Sequence, residues 1–215
     1  MKKNTLIILY ILLFSSKNAT AVEIQRVNLV PAADGEISDS SGTGIFDKVS
    51  STINDSNELY EIKIGELSGE NKKGIFEFFL PEKLNKKIII SAELYLSLNG
   101  TYGTYPDKPG AGPEFAIYYY VTENANENVS KEDNSGGNLI ENATNNNKVI
   151  NNNHLTINIT KTLISALNMP KVNTIGFRIE KTPRAPKNVS WRILSSEFGQ
   201  KFGNTFIPHI LIKSK

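Results

Sequence analysis

The chain has 215 residues, with 24 Lys and Arg, 22 Asp and Glu, two His and no Cys. That length suits one domain with a sizeable core. The absence of cysteine excludes disulfides and thiolate metal centres, and the near-balance of charge gives no basis for a nucleic-acid partner.

Met1-Lys2-Lys3 is a basic start, Leu6 to Phe14 is a short apolar run, and Ala19-Thr20-Ala21 has the small-x-small pattern of a cleavage site. The pattern predicts a secretory signal peptide over residues 1–21. The apolar run is too short to span a bilayer comfortably, so no transmembrane segment is expected after cleavage. Its removal takes Lys2, Lys3 and Lys17 and leaves 21 basic against 22 acidic residues, a net charge of −1. A single domain is expected over 22–215, secreted, periplasmic or on the cell surface. Without disulfides, its stability must come from the core or from a bound metal.

Ile24 to Val30 ends at Pro31 and reads as a first strand near an edge. Ala32 to Gly44 is rich in turn residues, with a short strand expected at Glu36-Ile37-Ser38. Leu59 to Ile64 alternates, with Tyr60, Ile62 and Ile64 on one side, and a loop is expected from Gly65 to Lys72. The stretch from Lys73 to Leu98 is the expected centre of the core. Phe76, Phe78 and Leu80 share one face of its first half. In its second half Ile88, Ile90, Ala92, Leu94, Leu96 and Leu98 define a buried face, with Ser91, Glu93, Tyr95 and Ser97 toward water.

Asn99 to Pro113 is a Gly/Pro/Tyr loop, and Glu114 to Thr122 is a strand with Phe115, Ile117, Tyr119 and Val121 on one side. Glu123 to Asn153 holds 12 asparagines in 31 residues. So polar a segment buries little apolar surface, so a long mobile loop is expected there, with a brief strand near Lys148 to Ile150. Leu155 to Ile159 alternates again. Thr160 is placed to cap a helix over Lys161 to Asn168, which Pro170 stops. Strands at Thr174–Glu180, Val189–Leu194 and Phe206–Lys213 complete the chain. Nine or ten strands and one short helix indicate an all-β sandwich or barrel.

Several segments together resemble the DNRLRE-type, or family 96, carbohydrate-binding modules. Ala33 to Asp39 is similar to the family's opening Ala-Asp and short strand. Gly74 to Leu80 is similar to its phenylalanine-centred strand, and Ile90 to Leu96 to its Ser-Ala-x-Leu-x-Leu strand. Ile157 to Thr160, the helix and Ile175 to Ile179 match its strand–helix–strand passage. Ser195-Ser196-Glu197 and Ile207 to Ile212 match its closing motifs. The likeness runs from Ile24 to Lys213. It departs at Phe79, where members tend to carry an acid, and in the Asn-rich loop, which replaces a Trp-rich middle. The resemblance implies a jelly-roll-like antiparallel β-sandwich that binds extracellular or cell-wall polysaccharide without catalysis.

Sugar binding calls for aromatic faces beside hydrogen-bonding groups. Tyr102 and Tyr105 on the Gly/Pro-rich loop, then Tyr118 and Tyr120 on one strand face, are the candidate ligand-binding residues, with packing at an edge or in the core as the alternative. Trp191 alternates with Val189 and Ile193 and is expected in the core. Asp34, Glu36 and Asp39 offer hard oxygen ligands for a structural Ca²⁺. No Gly-x-Ser-x-Gly elbow is present, and the spacing of the acids selects no catalytic pair. A structural or adhesive module with a protein partner, or a small glycan hydrolase or lyase, are the other functions compatible with such a chain.

Overall fold

The computed structural model describes residues 24–51, 60–103, 115–123, 129–140, 150–151, 154–183, 185 and 187–215. The fold is all-β and sandwich-like, made of antiparallel strands in a curled sheet. The strands are β1 (Gln25–Leu29), β2 (Ala33–Asp39), β3 (Lys48–Ser51), β4 (Glu61–Leu67), β5 (Glu70–Phe79), β6 (Ile89–Gly103) and β7 (Phe115–Thr122). They continue as β8 (Asn138–Leu139), β9 (Ile150–Asn151), β10 (His154–Asn158), β11 (Thr174–Lys181), β12 (Val189–Leu194) and β13 (His209–Ser214). Two short helices, α1 (Thr160–Leu167) and α2 (Ser196–Phe202), lie among them. The sequence led us to expect one helix. α2 was missed because its seven residues show no apolar period; Ser195 starts it by accepting the Phe198 N–H at 3.3 Å.

One leaf contains β1, β13, the first part of β6, β10 and β9. The other contains β12, β4, β5, β11, β7 and β8, with β2 and β3 on the far edge of β5. β6 serves both: residues 89–97 pair with β13 and β10, and residues 98–103 with β12. The central stretch is therefore not one hydrogen-bonded pair. β5 and β6 lie in opposite leaves and meet across the core, where Phe76, Phe78, Ile62, Ile117 and Phe177 face Ala92, Leu94, Leu96, Ile157, Ile210 and Ile212. Burying so many fully enclosed aliphatic and aromatic side chains, each worth about 1.5–3 kcal/mol, supplies the stability that disulfides would add elsewhere. Trp191 is in this core, edge-on to Phe115 at 5.0 Å.

Ile88 and Ile90 are exposed, at 63% and 45%, although the alternation assigned them to the core. β13 pairs Lys213 with Ser91 and Ser214 with Ile89, so Ile90 is an extra residue in β6. This bulge reverses the facing of the residues before it, and Ile89 packs inward instead. The Gly65–Lys72 loop is instead a hairpin: Leu67 pairs with Glu70 across Ser68 and Gly69, both at positive φ, as a tight two-residue turn requires. Thr160 is the first helical residue and no cap; its hydroxyl accepts the Ala92 N–H at 2.9 Å and ties α1 to β6.

Within the Asn-rich segment, residues 129–140 pack on the sheet. Val129 and Ile140 are buried, and Arg178 donates to the Asp133 and Gly136 carbonyls at 3.4 and 2.8 Å. Composition hid this docking because two apolar anchors and a guanidinium clamp suffice for it. Among the described residues no helix is long and apolar enough to cross a membrane.

Candidate functional site

The outer side of the first leaf is an open polar face, and its side chains follow from strand alternation. β6 presents Ser91, Glu93 and Tyr95, β13 His209, Leu211 and Lys213, β10 His154, Thr156 and Asn158, and β1 Arg26 and Asn28. The register aligns them in rows. His209, Tyr95 and Thr156 form one, Asn28, Leu211, Glu93 and Asn158 the next, and Arg26, Lys213 and Ser91 the third.

Tyr95 and His209 stack with centroids 4.9 Å apart and planes 6° from parallel. That separation equals the distance between neighbouring strands, about 4.8 Å. The pair forms one stacked aromatic unit across two strands, with Thr156 paired to Tyr95 on its other side. The Tyr95 hydroxyl donates to Glu93 Oε2 at 2.6 Å. That bond, then burial and the carboxylate charge, push the phenol up to about 12. His209 Nδ1 lies 2.9 Å from the Ile207 carbonyl, which can only accept, so Nδ1 carries the proton. His154 Nδ1 lies 3.2 Å from the Ser97 hydroxyl.

At its lower end the face runs into a groove of about 490 Å³ beside α1, lined in part by Ser91, Asn158, Thr160, Lys161 and Thr162. Its size falls within the roughly 300–1,000 Å³ of ligand pockets. Face and groove together offer hydroxyls, two amides, one stacked aromatic pair, cations and the apolar surface of Ile90, Leu139 and Ile140. They can hold a hydroxyl-rich ligand.

The tyrosines selected from the sequence lie elsewhere. Tyr102 sits near the end of β6 with its backbone opposite Ser190, and Tyr105 falls outside the described residues. Tyr118 and Tyr120 share the outer side of the second leaf. Arg178 lies 4.8 Å above the Tyr118 ring. Tyr120 donates to Glu77 Oε1 at 2.9 Å, and its ring fills the space left by Gly176, where a Cβ would come within 2.2 Å of it. Glu77 is almost wholly enclosed, and its Oε2 has no hydrogen-bond partner among the described residues. Burial, reinforced by the nearby Asp133 charge, raises its pKa to about 7 against the lowering effect of the Tyr120 bond. Tyr120 is pushed far up by burial, then by Glu77 and Asp133.

The three carboxylates considered for a metal are each engaged separately. Asp34 accepts the Ser196 N–H and hydroxyl at 2.7 and 2.9 Å, joining β2 to the start of α2 across 162 positions. Glu36 accepts the Lys63 N–H at 2.9 Å and pairs with Lys72 at 2.6 Å. Asp39 accepts the N–H groups of Ser41, Thr43 and Gly44. Burial alone would raise its pKa; those bonds, Gly44 foremost, hold it below the ordinary value. Among the described residues no three His, Cys, Asp or Glu side chains are grouped to hold a metal ion.

Tyr95 was legible as an outward residue, but its pairing with His209 depends on a register 114 positions apart. Two histidines in a chain that has no others, each in an alternating strand on the outward side, were the available signal. No protein-family model matches the chain, and no curated protein matches its sequence.

Proposed function

We propose that this is a secreted, non-catalytic carbohydrate-binding β-sandwich that holds extracellular or cell-wall polysaccharide on the open face of its first leaf. The observation that carries the reading is the stacked Tyr95–His209 pair, with Glu93 and Thr156 beside it on a solvent-facing sheet. An aromatic face packs against the C–H side of a pyranose, and the surrounding amides, hydroxyls and carboxylate meet its hydroxyls. The signal-like start and the family resemblance support export and glycan recognition. The sheet positions these groups without help from a mobile loop, so little ordering free energy is spent on binding.

Retention of the chain from Val22 onward on a panel of insoluble and soluble polysaccharides tests the reading. Binding should occur and should weaken about tenfold in Tyr95→Ala, from lost aromatic contact of about 1–1.5 kcal/mol. Failure to bind any glycan would overturn it. A second reading, a protein-binding surface module, is favoured by one observation. Tyr60, Phe198, Phe202 and Phe206 form an aromatic cluster around α2, with Phe202 56% exposed. Concentration-dependent self-association or partner capture that Phe202→Ser abolishes would favour it.

A further inference from the structure

Glu77 lies on β5 between Phe76 and Phe78, which point into the core, so it faces outward from the second leaf; yet almost none of it is exposed. An outward side chain is enclosed only when something lies over it. Among the described residues that cover is 129–140. Val129 joins Ala33, Ile37 and Ile75 in a small second apolar cluster, and Ala33 stands opposite Glu77 on β2. Arg178, opposite Ile75 on β11, donates to the Asp133 and Gly136 carbonyls. Gly137 is pressed against β7, where a Cβ would come within 2.9 Å of the Tyr119 carbonyl oxygen. Beyond it β8 pairs with β7, and the Ile140 N–H donates to the Ile117 carbonyl at 2.9 Å.

Each element around Glu77 contributes a known group. β7 supplies Tyr120, which donates to Oε1; β11 supplies Gly176 opposite and Arg178 two positions on; β2 supplies Ala33. The cover supplies Asp133, whose charge acts on Glu77, while Lys131 and Glu132 of the same turn are exposed. Arg178 is engaged by the two carbonyls, the Tyr118 ring and Glu180. With a proton, Glu77 is a neutral carboxyl under its cover. Without one, it is an enclosed negative charge beside Asp133, and such a charge favours any opening that admits water. The cover yields more easily than β5. β5 is bonded to β2 and β11 on its two sides, whereas 129–135 is held by Val129 and the Arg178 bonds and joins β8 through Gly136 and Gly137, both at positive φ.

We propose that residues 129–135 form a pH-sensitive strap, closed over the second leaf while Glu77 carries its proton and turning outward about Gly136 and Gly137 when the proton is lost. The direction follows from linkage. The Glu77 pKa is raised from 4.5 to about 7 in the closed protein, so the proton's contribution to closure is complete below pH 4.5 and is lost as the pH rises through about 7. Opening uncovers Ala33, Ile75 and the Tyr118 ring, a surface more apolar than the open face of the first leaf.

Hydrogen exchange read by mass spectrometry tests this on the chain from Val22 onward at pH 5 and pH 8, with each rate divided by the intrinsic rate at that pH. Protection of residues 129–137 should fall about tenfold or more between the two, and protection of β13 should fall less. Glu77→Gln, which cannot ionise, should hold the pH 5 protection at both. Asp133→Asn keeps an acceptor for the Ser130 N–H and hydroxyl and removes the opposing charge, so its fall should be smaller than the wild type's. Wild-type protection of β13 at pH 5 shows that a variant is folded, and either variant then suffices for the comparison. A flat profile for 129–137 in the wild type, an equal fall at β13, or a fall undiminished in the variants overturns the proposal.

Discussion

Replacing Glu77 by glutamine should stabilise the protein above neutral pH and leave it nearly unchanged in acid. Glu77 is 1% exposed, and its carboxyl is raised from 4.5 to about 7. A proton is therefore held more tightly in the folded than in the unfolded chain. The stability this contributes is complete below pH 4.5 and is lost as the pH rises through about 7. The full displacement corresponds to roughly 3 kcal/mol. Solvent screening of the Asp133 contribution reduces the expected difference to about 2 kcal/mol. Glutamine keeps an acceptor for the Tyr120 hydroxyl and cannot ionise. Urea unfolding at pH 4.5, 6 and 8 measures the result. The variant should match the wild type within about 0.5 kcal/mol at the lowest pH and exceed it by about 2 kcal/mol at the highest. That gain corresponds to roughly 4–8 °C in Tm for a domain of this size. Comparison at each pH cancels the titration of the other acids. A stability difference that stays flat or shrinks between pH 4.5 and 8 would refute the reasoning.

Other substitutions test other parts of the structure. Gly65→Ala should cost more than about 2 kcal/mol in urea unfolding, because φ is +126° and a Cβ would come within 2.4 Å of the Val189 carbonyl oxygen. Arg178→Met removes both clamps on residues 129–140. Faster amide exchange confined to that segment is expected, with little change at β10 or β13. Asp34→Ala leaves the Ser196 N–H and hydroxyl unpaired, and a loss of about 1–3 kcal/mol is expected in thermal or urea unfolding. Treatment with a divalent-cation chelator should leave Tm unchanged, since Asp34, Glu36 and Asp39 are each already satisfied by protein donors. A fall of several degrees on chelation would restore the metal.

The alternation of apolar residues revealed most of the strands because one face of each is enclosed. It erred where a single residue interrupts the ladder. Ile90 is apolar and in phase with Ala92, yet the partner strand skips it, and only the partner records the skip. Alternation marks only three residues of β2, yet the strand runs over seven and is buried throughout. Its acids and glycine disguise it; they are admitted because Asp34, Glu36 and Asp39 meet donors from distant segments. The open face was half legible. Glu93 and Tyr95 were assigned to water from their own strand, whereas the stacked pair of Tyr95 with His209 and the groove beside Lys161 are assembled from three separated stretches of chain. Tyr102 and Tyr105 stand out in the sequence because aromatic residues among turn formers are conspicuous, while one in a regular strand is not.

β1 and β13 run antiparallel, with Gln25 beside Ser214 and Leu29 beside Ile210. The two ends of the sheet therefore leave the molecule side by side. A load applied between them would part the five registered pairs one at a time, in unzipping geometry, and would not shear them together. Under tension the first event would be loss of β1, which carries Arg26 and Asn28 away from the open face while β6, β10 and the groove remain in place. A protein tethered through both ends would thus yield part of its polar face at low force. One held through a single end would keep the whole face.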